Sequence, residues 1–154
     1  MENDELKRLA VEKTLKSMNR APKDWITTNT RVHTHLINES YQFKSNVVLH
    51  ESEKPILECI LEDSSFLITT QRVFSRDFIK WYELPIKMIT GLNDKGAQTK
   101  DDVTSTGVNT IEVKNELQRE FFLNVDSLYP AFFTKILILN LSSFVRYGKW
   151  YLDI

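Results

Sequence analysis

At 154 residues the chain has the length of one domain, since a single hydrophobic core organises about 100–200 residues. Hydrophobic residues make up 42% and charged residues 27%, which excludes general disorder. With 20 basic against 21 acidic side chains the net charge is -1, so no molecule-wide positive field exists to hold nucleic acid or an anionic membrane, and only a local basic patch is compatible with these totals.

The opening Met1-Glu2-Asn3-Asp4-Glu5 is acidic and lacks an apolar run, so it does not read as a secretory signal. Residues 3–19 predict a helix: Asn3 or Asp4 caps it, Glu5 adds acid to its first turn, and Leu6, Leu9, Ala10, Leu15 and Met18 recur at helical spacing. Between residues 24 and 50 two patterns compete. Ile26, Val32, Leu36, Ile37 and Tyr41 suit a helical face, whereas the β-branched Thr28, Thr30, Val32 and Thr34 favour a strand. The reading preferred is a helix over about 27–43, so that residues 1–50 form a helical extension packed on a domain of residues 51–154.

Residues 56–61 alternate as a strand, with Leu57, Cys59 and Leu61 on one face and Glu58 and Glu62 on the other. A polar turn at 62–65 leads to strands over 66–74, 78–84 and 86–92, the last set off by Pro85. The polar stretch 93–109, with Gly96 and Gly107, predicts a long loop. Residues 111–114 and 119–125 form a hairpin around Asn115-Glu116. A helix follows over 127–147, capped by Asp126 or Ser127, with Pro130 in its first turn and Gly148 at its end. Its stripe of Phe132, Phe133, Ile136, Leu137, Leu139, Leu141, Phe144 and Val145 is too wide for one contact face, which predicts cover on more than one side and a homodimer through this helix. The most apolar stretch, 131–145, is broken by Lys135, Asn140, Ser142 and Ser143. It falls short of the ~20 apolar residues that span a bilayer, and a cytoplasmic protein is expected.

Candidate chemistry is sparse. Cys59 is the only cysteine, which removes an intrachain disulfide and a cysteine-based zinc site; between Leu57 and Leu61 it reads as a small core hydrophobe rather than a nucleophile. His33 and His35, with His50 as a third, would share a face only on a strand, and solvated or hydrogen-bonded histidines are the preferred reading over a metal site. Neither a G-x-G-x-x-G nor a Walker pattern is present, and Asp94 with Asp101-Asp102 reads as solvated loop. No catalytic residue, metal or cofactor is expected. Lys80, Lys87, Lys95 and Lys100, with Lys114 and Arg119, form a candidate basic patch. Trp81 and Tyr82 point to opposite faces of one strand, so one faces outward, and Trp150 and Tyr151 lie in a short tail after the last helix; these aromatic residues are candidate binding anchors, with the equal alternative for the tail that it folds back over the helix and packs.

The run Ser65-Phe66-Leu67-Ile68-Thr69-Thr70-Gln71-Arg72-Val73-Phe74 and the later Tyr82-Glu83-Leu84-Pro85-Ile86-Lys87-Met88-Ile89, followed by the terminal helix, resemble a bacterial pleckstrin-homology-like (PH-like, GRAM-related) domain over about residues 56–147. The resemblance implies an α+β fold: a partly open antiparallel barrel of six or seven strands in two packed sheets, with a long C-terminal helix. It also implies a module that binds proteins, peptides or lipids rather than an enzyme. Two departures matter. The turn where family members hold inositol phosphates is Glu62-Asp63-Ser64-Ser65, which would repel phosphate, and the last helix lacks the tryptophan of eukaryotic members. The resulting expectation is a non-catalytic module for protein–protein interaction, of adaptor or immunity/inhibitor type. The alternative is peripheral membrane or lipid binding through the lysine patch, and a small metal-dependent enzyme ranks below both. A protein partner is expected, with membrane second and nucleic acid not.

Overall fold

The computed structural model describes residues 1–18, 32–97 and 107–151. Helix α1 (Asn3–Met18) buries Leu6, Ala10, Thr14 and Met18, positions four residues apart that fall on one face of a 3.6-residue turn. Among the described residues eight strands follow: β1 (Thr34–Leu36), β2 (Pro55–Ile60), β3 (Ser64–Thr69), β4 (Arg72–Asp77), β5 (Lys80–Pro85), β6 (Ile89–Ala97), β7 (Val108–Asn115) and β8 (Phe122–Asp126). Helix α2 (Tyr129–Tyr147) follows β8.

Neighbours in sequence become antiparallel neighbours in space, through short turns from β2 to β5 and through longer connections between β1 and β2 and between β6 and β7. One sheet therefore runs β1-β2-β3-β4-β5 and the other β6-β7-β8. Two antiparallel sheets, no closed barrel and a long C-terminal helix constitute the α+β, PH-like arrangement that the resemblance implies. The inward faces meet through Leu57, Cys59, Phe66, Ile68 and Leu84 on one side and Ile111, Val113, Leu123 and Val125 on the other. Helix α2 plugs this core with Phe133, Leu137 and Leu141, all fully buried, and α1 packs on α2. The width of the α2 stripe is thus used within the chain, with strands on one side and α1 on the other. Buried Asn140 of α2 donates across that second contact to Thr14 Oγ1 at 3.1 Å.

Several expectations are corrected. The helix over 27–43 is not formed where the chain is described: Thr34–Leu36 is β1, in register with β2 through Thr34↔Cys59 and Leu36↔Leu57, and residues 27–31 lie outside the described residues. This adds an eighth strand to the six or seven expected. The single strand over 66–74 is a hairpin, because Thr69 Oγ1 accepts from the N–H groups of Gln71 and Arg72 and closes a turn that contains neither Gly nor Pro. The strand over 78–84 begins at Lys80, since Phe78 and Ile79 form a two-residue turn with Phe78 at φ 49°. A 3-10 turn at Ile86–Met88 delays β6 to Ile89. The expected loop 93–109 is in part strand: β6 runs on to Ala97 with a register shift at Gly96 (φ 74°), and β7 starts at Val108. The α2 cap is Leu128, at φ 67°, rather than Asp126 or Ser127. Gly148 ends the helix in the left-handed region, its N–H donating to the Phe144 carbonyl.

Candidate functional site

After β1 the chain crosses the outer face of the five-stranded sheet as an extended strap over residues 37–50. Tyr41, Phe43, Val47 and Leu49 pack against Leu67 and Phe74 and close a second, smaller core. Two buried carboxylates hold this strap, and a third holds the strand from which it leaves. Glu58, on the outer face of β2, accepts from Tyr41 Oη (2.7 Å), from the backbone N–H groups of Lys44 (3.0 Å) and Ser45 (2.8 Å), and from the Ser45 hydroxyl. Burial, together with the hydrogen bond to Glu58, pushes the Tyr41 hydroxyl well above the ordinary phenol range. Glu53 accepts from His50 N–H (2.9 Å), Thr69 Oγ1 and Arg72 Nη2 (2.6 Å). Its burial alone would raise its pKa, but the hydrogen bonds from Arg72, Thr69 and His50 outweigh that and hold it below the ordinary carboxylate value. Arg72 Nη2 also donates to Val48 O at 3.1 Å, tying down the far end of the strap. Asp126 accepts from His33 N–H and Thr34 Oγ1, both at 2.7 Å, and so joins β1 to the end of β8.

The three histidines go to three separate places on this segment. His33 Nδ1 lies 3.0 Å from Asp126 Oδ1, the His35 ring stacks on Tyr41 at 4.4 Å, and His50 Nδ1 lies 2.8 Å from Gln71 Oε1. Among the described residues no group of three or more His, Cys, Asp or Glu side chains could hold a metal. Cys59 is fully buried, and burial pushes its thiol up to about 12, which disfavours the thiolate a nucleophile needs.

The expected binding residues are dispersed. Lys80, Trp81 and Tyr82 lie on β5, the edge strand, with Trp81 half-buried beneath the strap and Tyr82 exposed. Lys87 sits in the 3-10 turn beyond the other end of β5. Lys95 and Lys114 both reach Glu112, at 3.6 and 3.2 Å. Lys100, like Asp101 and Asp102, lies outside the described residues, and Asp94 is taken up by Lys135 Nζ at 2.6 Å. Trp150 follows the packed alternative of the two readings of the tail and not the anchor: it is 7% exposed and stacks on Phe144 at 4.5 Å, because the tail folds back over α2 and its indole closes the core. Tyr151 beside it stays exposed.

A different group of side chains comes together where the two sheets splay apart. A cleft of about 310 Å³ opens between the β3–β4–β5 end of one sheet and β8 of the other, lined by Ser64, Ser75, Arg76, Asp77, Tyr82 and, from the second sheet, Glu120 to Phe122 with Asn124. Tyr82 shares a strand face with buried Leu84 but lies beyond the cover of the second sheet, so its ring faces the cleft opposite Phe122. Ser75 Oγ donates to Phe122 O (2.7 Å) and Asn124 Nδ2 to Ser64 Oγ (3.2 Å), which fixes the two walls relative to each other. The Phe78-Ile79 turn, which follows the cleft-lining Asp77 in the chain, stands in solvent. Phe122, Phe78 and Ile79 were not among the expected site residues; a two-residue turn of Phe and Ile, without Gly, Pro or Asn, reads as strand, and nothing local marks Phe122 as facing a gap.

No family model matches the sequence, and no curated protein matches it. Among solved structures the chain is similar to a crystal structure of a DUF1696-family protein with a pleckstrin-homology domain from Shewanella loihica PV-4, at 17% identity over 61% of this chain and 83% of that one, with a TM-score of 0.45.

Proposed function

We propose that this chain is a non-catalytic binding module, an adaptor or inhibitor, that engages a protein partner at the open corner between its sheets. The observation that carries the reading is that one cleft is lined by exposed Tyr82 and Phe122, while the exposed Phe78 and Ile79 directly follow its lining residue Asp77 in the chain, since large apolar groups collected at one end of a molecule mark interaction sites where scattered ones do not. The dispersal of the histidines and the inert environment of Cys59 support a non-catalytic role. A membrane-facing lysine patch has less support, with Lys80 and Lys87 at opposite ends of β5 and Lys95 and Lys114 turned to Glu112. A second copy docking on α2 would have Phe132 and Val145 to use, and these lie about 20 Å apart along the helix.

The test is affinity capture with the tagged chain beside its Tyr82→Ser, Phe122→Ser double variant. A stoichiometric partner held by the parent and lost by the variant is expected. A partner held equally by both would move the site elsewhere, and the absence of any specific partner would remove the protein-binding reading and make sedimentation with anionic vesicles the next experiment.

A further inference from the structure

The turn joining β4 and β5 has the wrong chemistry for a residue pair whose only task is to reverse the chain in water. Phe78 and Ile79 are 75% and 93% exposed, and Phe78 holds φ 49°, a region in which Gly, Asn or Asp is the ordinary occupant. A small polar residue would be favoured on both counts, so neither folding nor solubility accounts for the pair. The turn is also braced: Phe78 N–H donates to Asp63 O at 3.0 Å, and the Arg76 guanidinium donates to Phe78 O and, at 2.9 Å, to Ser65 Oγ. It is a convex, pre-set apolar knob, which loses little freedom when it docks.

The charges around the knob decide what it fits. Glu62 and Asp63 on the β2–β3 turn, Asp77 beside Phe78 and Glu120 in the cleft enter no ion pair among the described residues. Arg76 has turned its donors to the turn itself, and Lys80 lies over the Tyr82 ring at 5.1 Å. With Arg119 next to Glu120 in the chain the count is four carboxylates against three cations, and the acidic excess, concentrated at Glu62, Asp63 and Asp77 beside the turn, disfavours an anionic bilayer or a nucleic acid and favours a basic surface. We propose that the Phe78-Ile79 turn is the anchor for a protein partner that offers an apolar pocket rimmed by Lys or Arg. This rests on the binding-module reading above and narrows it to the chemistry of the partner.

The experiment uses a random peptide library displayed on phage, selected against the full chain and counter-tested on Phe78→Gly and Ile79→Ser. The expected result is enrichment of peptides that combine apolar side chains with Lys or Arg. Their affinity should drop about tenfold or more in each variant and weaken as salt rises. Phe78→Gly should at the same time raise the urea midpoint, because glycine suits the positive φ; a lowered midpoint would show that Phe78 is there for stability and overturn the proposal. Enriched peptides that are acidic, or that bind both variants as well as the parent, would overturn it while leaving a binding module with its site elsewhere. Sedimentation with phosphatidylserine vesicles that is lost in Ile79→Ser would overturn it in favour of a lipid surface. A library that yields no binder would overturn both this proposal and the protein-binding reading on which it rests.

Discussion

The outer face of the five-stranded sheet and the open corner between the sheets treat the same kinds of residue in opposite ways. Under the strap, carboxylates are buried and every one of them is saturated: Glu58 takes up Tyr41, Lys44 and Ser45, and Glu53 takes up His50, Thr69 and Arg72. Apolar groups there, such as Leu67 and Phe74, are covered. At the corner the carboxylates of Asp77 and Glu120 enter no ion pair among the described residues, and Phe78, Ile79, Tyr82 and Phe122 are left exposed. A buried carboxylate is tolerable only when its hydrogen bonds are complete, so the first region is built to stay shut. Among the described residues nothing closes the second, which is the exposure on which the proposed binding site rests.

If the strap is held as argued, Glu58→Leu should have the largest effect of any single change. It leaves the backbone N–H groups of Lys44 and Ser45 and the hydroxyls of Tyr41 and Ser45 facing an apolar side chain, and should destabilise the fold by about 4 kcal/mol. Urea unfolding gives the magnitude, and hydrogen exchange at Lys44 and Ser45 should accelerate before exchange in β2 and β3 does. A loss under about 1 kcal/mol would mean the strap is held by packing alone. Arg72→Met comes next, at about 3 kcal/mol, because it strands the fully buried Glu53 without its cation and frees Val48 O. Both variants should leave the corner unchanged, and any binding measured there should survive in whatever fraction remains folded.

Acid should open the same region in two steps. Burial, and after it the Lys44 charge, lowers the His35 pKa from its ordinary 6.5 against the opposing pull of Asp126 and Glu58, so the folded state prefers the neutral ring. A histidine depressed in this way contributes stability that is complete above its unfolded pKa and declines as the pH falls below it, from about 7 towards 5. Glu53, depressed from 4.5, contributes stability that is present above the ordinary carboxylate range and lost as the pH drops through and below it. Urea midpoints taken down the pH scale should therefore fall first in the histidine range and again in the carboxylate range. His35→Phe, which keeps the stack on Tyr41, should abolish the first decline only. A single decline confined to the carboxylate range in the parent would show that His35 is not coupled to the fold.

The sequence reading succeeded where one contact face decides an element and failed where a second layer does. Helix α1, helix α2 with its Gly148 terminus, and the alternation that buries Leu57 and Cys59 all follow from periodicity within a single segment. The alternation puts Glu58 on the face opposite Leu57 and Cys59, but nothing within 56–61 announces that another stretch of chain lies over that face and buries it. The signal was in the strap itself. Tyr41, Phe43, Val47 and Leu49 recur at odd positions, a period of two that predicts an extended, half-buried segment and competes with the helical reading of Val32, Leu36, Ile37 and Tyr41. For the site, opposite faces for Trp81 and Tyr82 were legible from strand geometry alone. The burial of Trp150 depends on Phe144 lying within reach after the tail turns back, and the exposure of Phe122 depends on the gap between two sheets, and neither is a local property.

The smallest effect expected is also the sharpest check on how the two regions differ in their use of charge. Lys95 reaches Glu112 at 3.6 Å, with its side chain half exposed, while Lys114 holds the same carboxylate at 3.2 Å. Removing one of two cations that share the Glu112 carboxylate leaves the other in place, and ion pairs whose lysines are half exposed contribute little because water already screens them. Lys95→Ala should therefore leave the urea midpoint where it was and should not alter binding at the corner. Lys95→Ala with Lys114→Ala should give a small loss that disappears in high salt. A substantial, salt-independent loss from the single variant would mean that this face of the second sheet is organised by charge as the strap is, and the contrast between a closed polar region and an open apolar one would no longer describe the molecule.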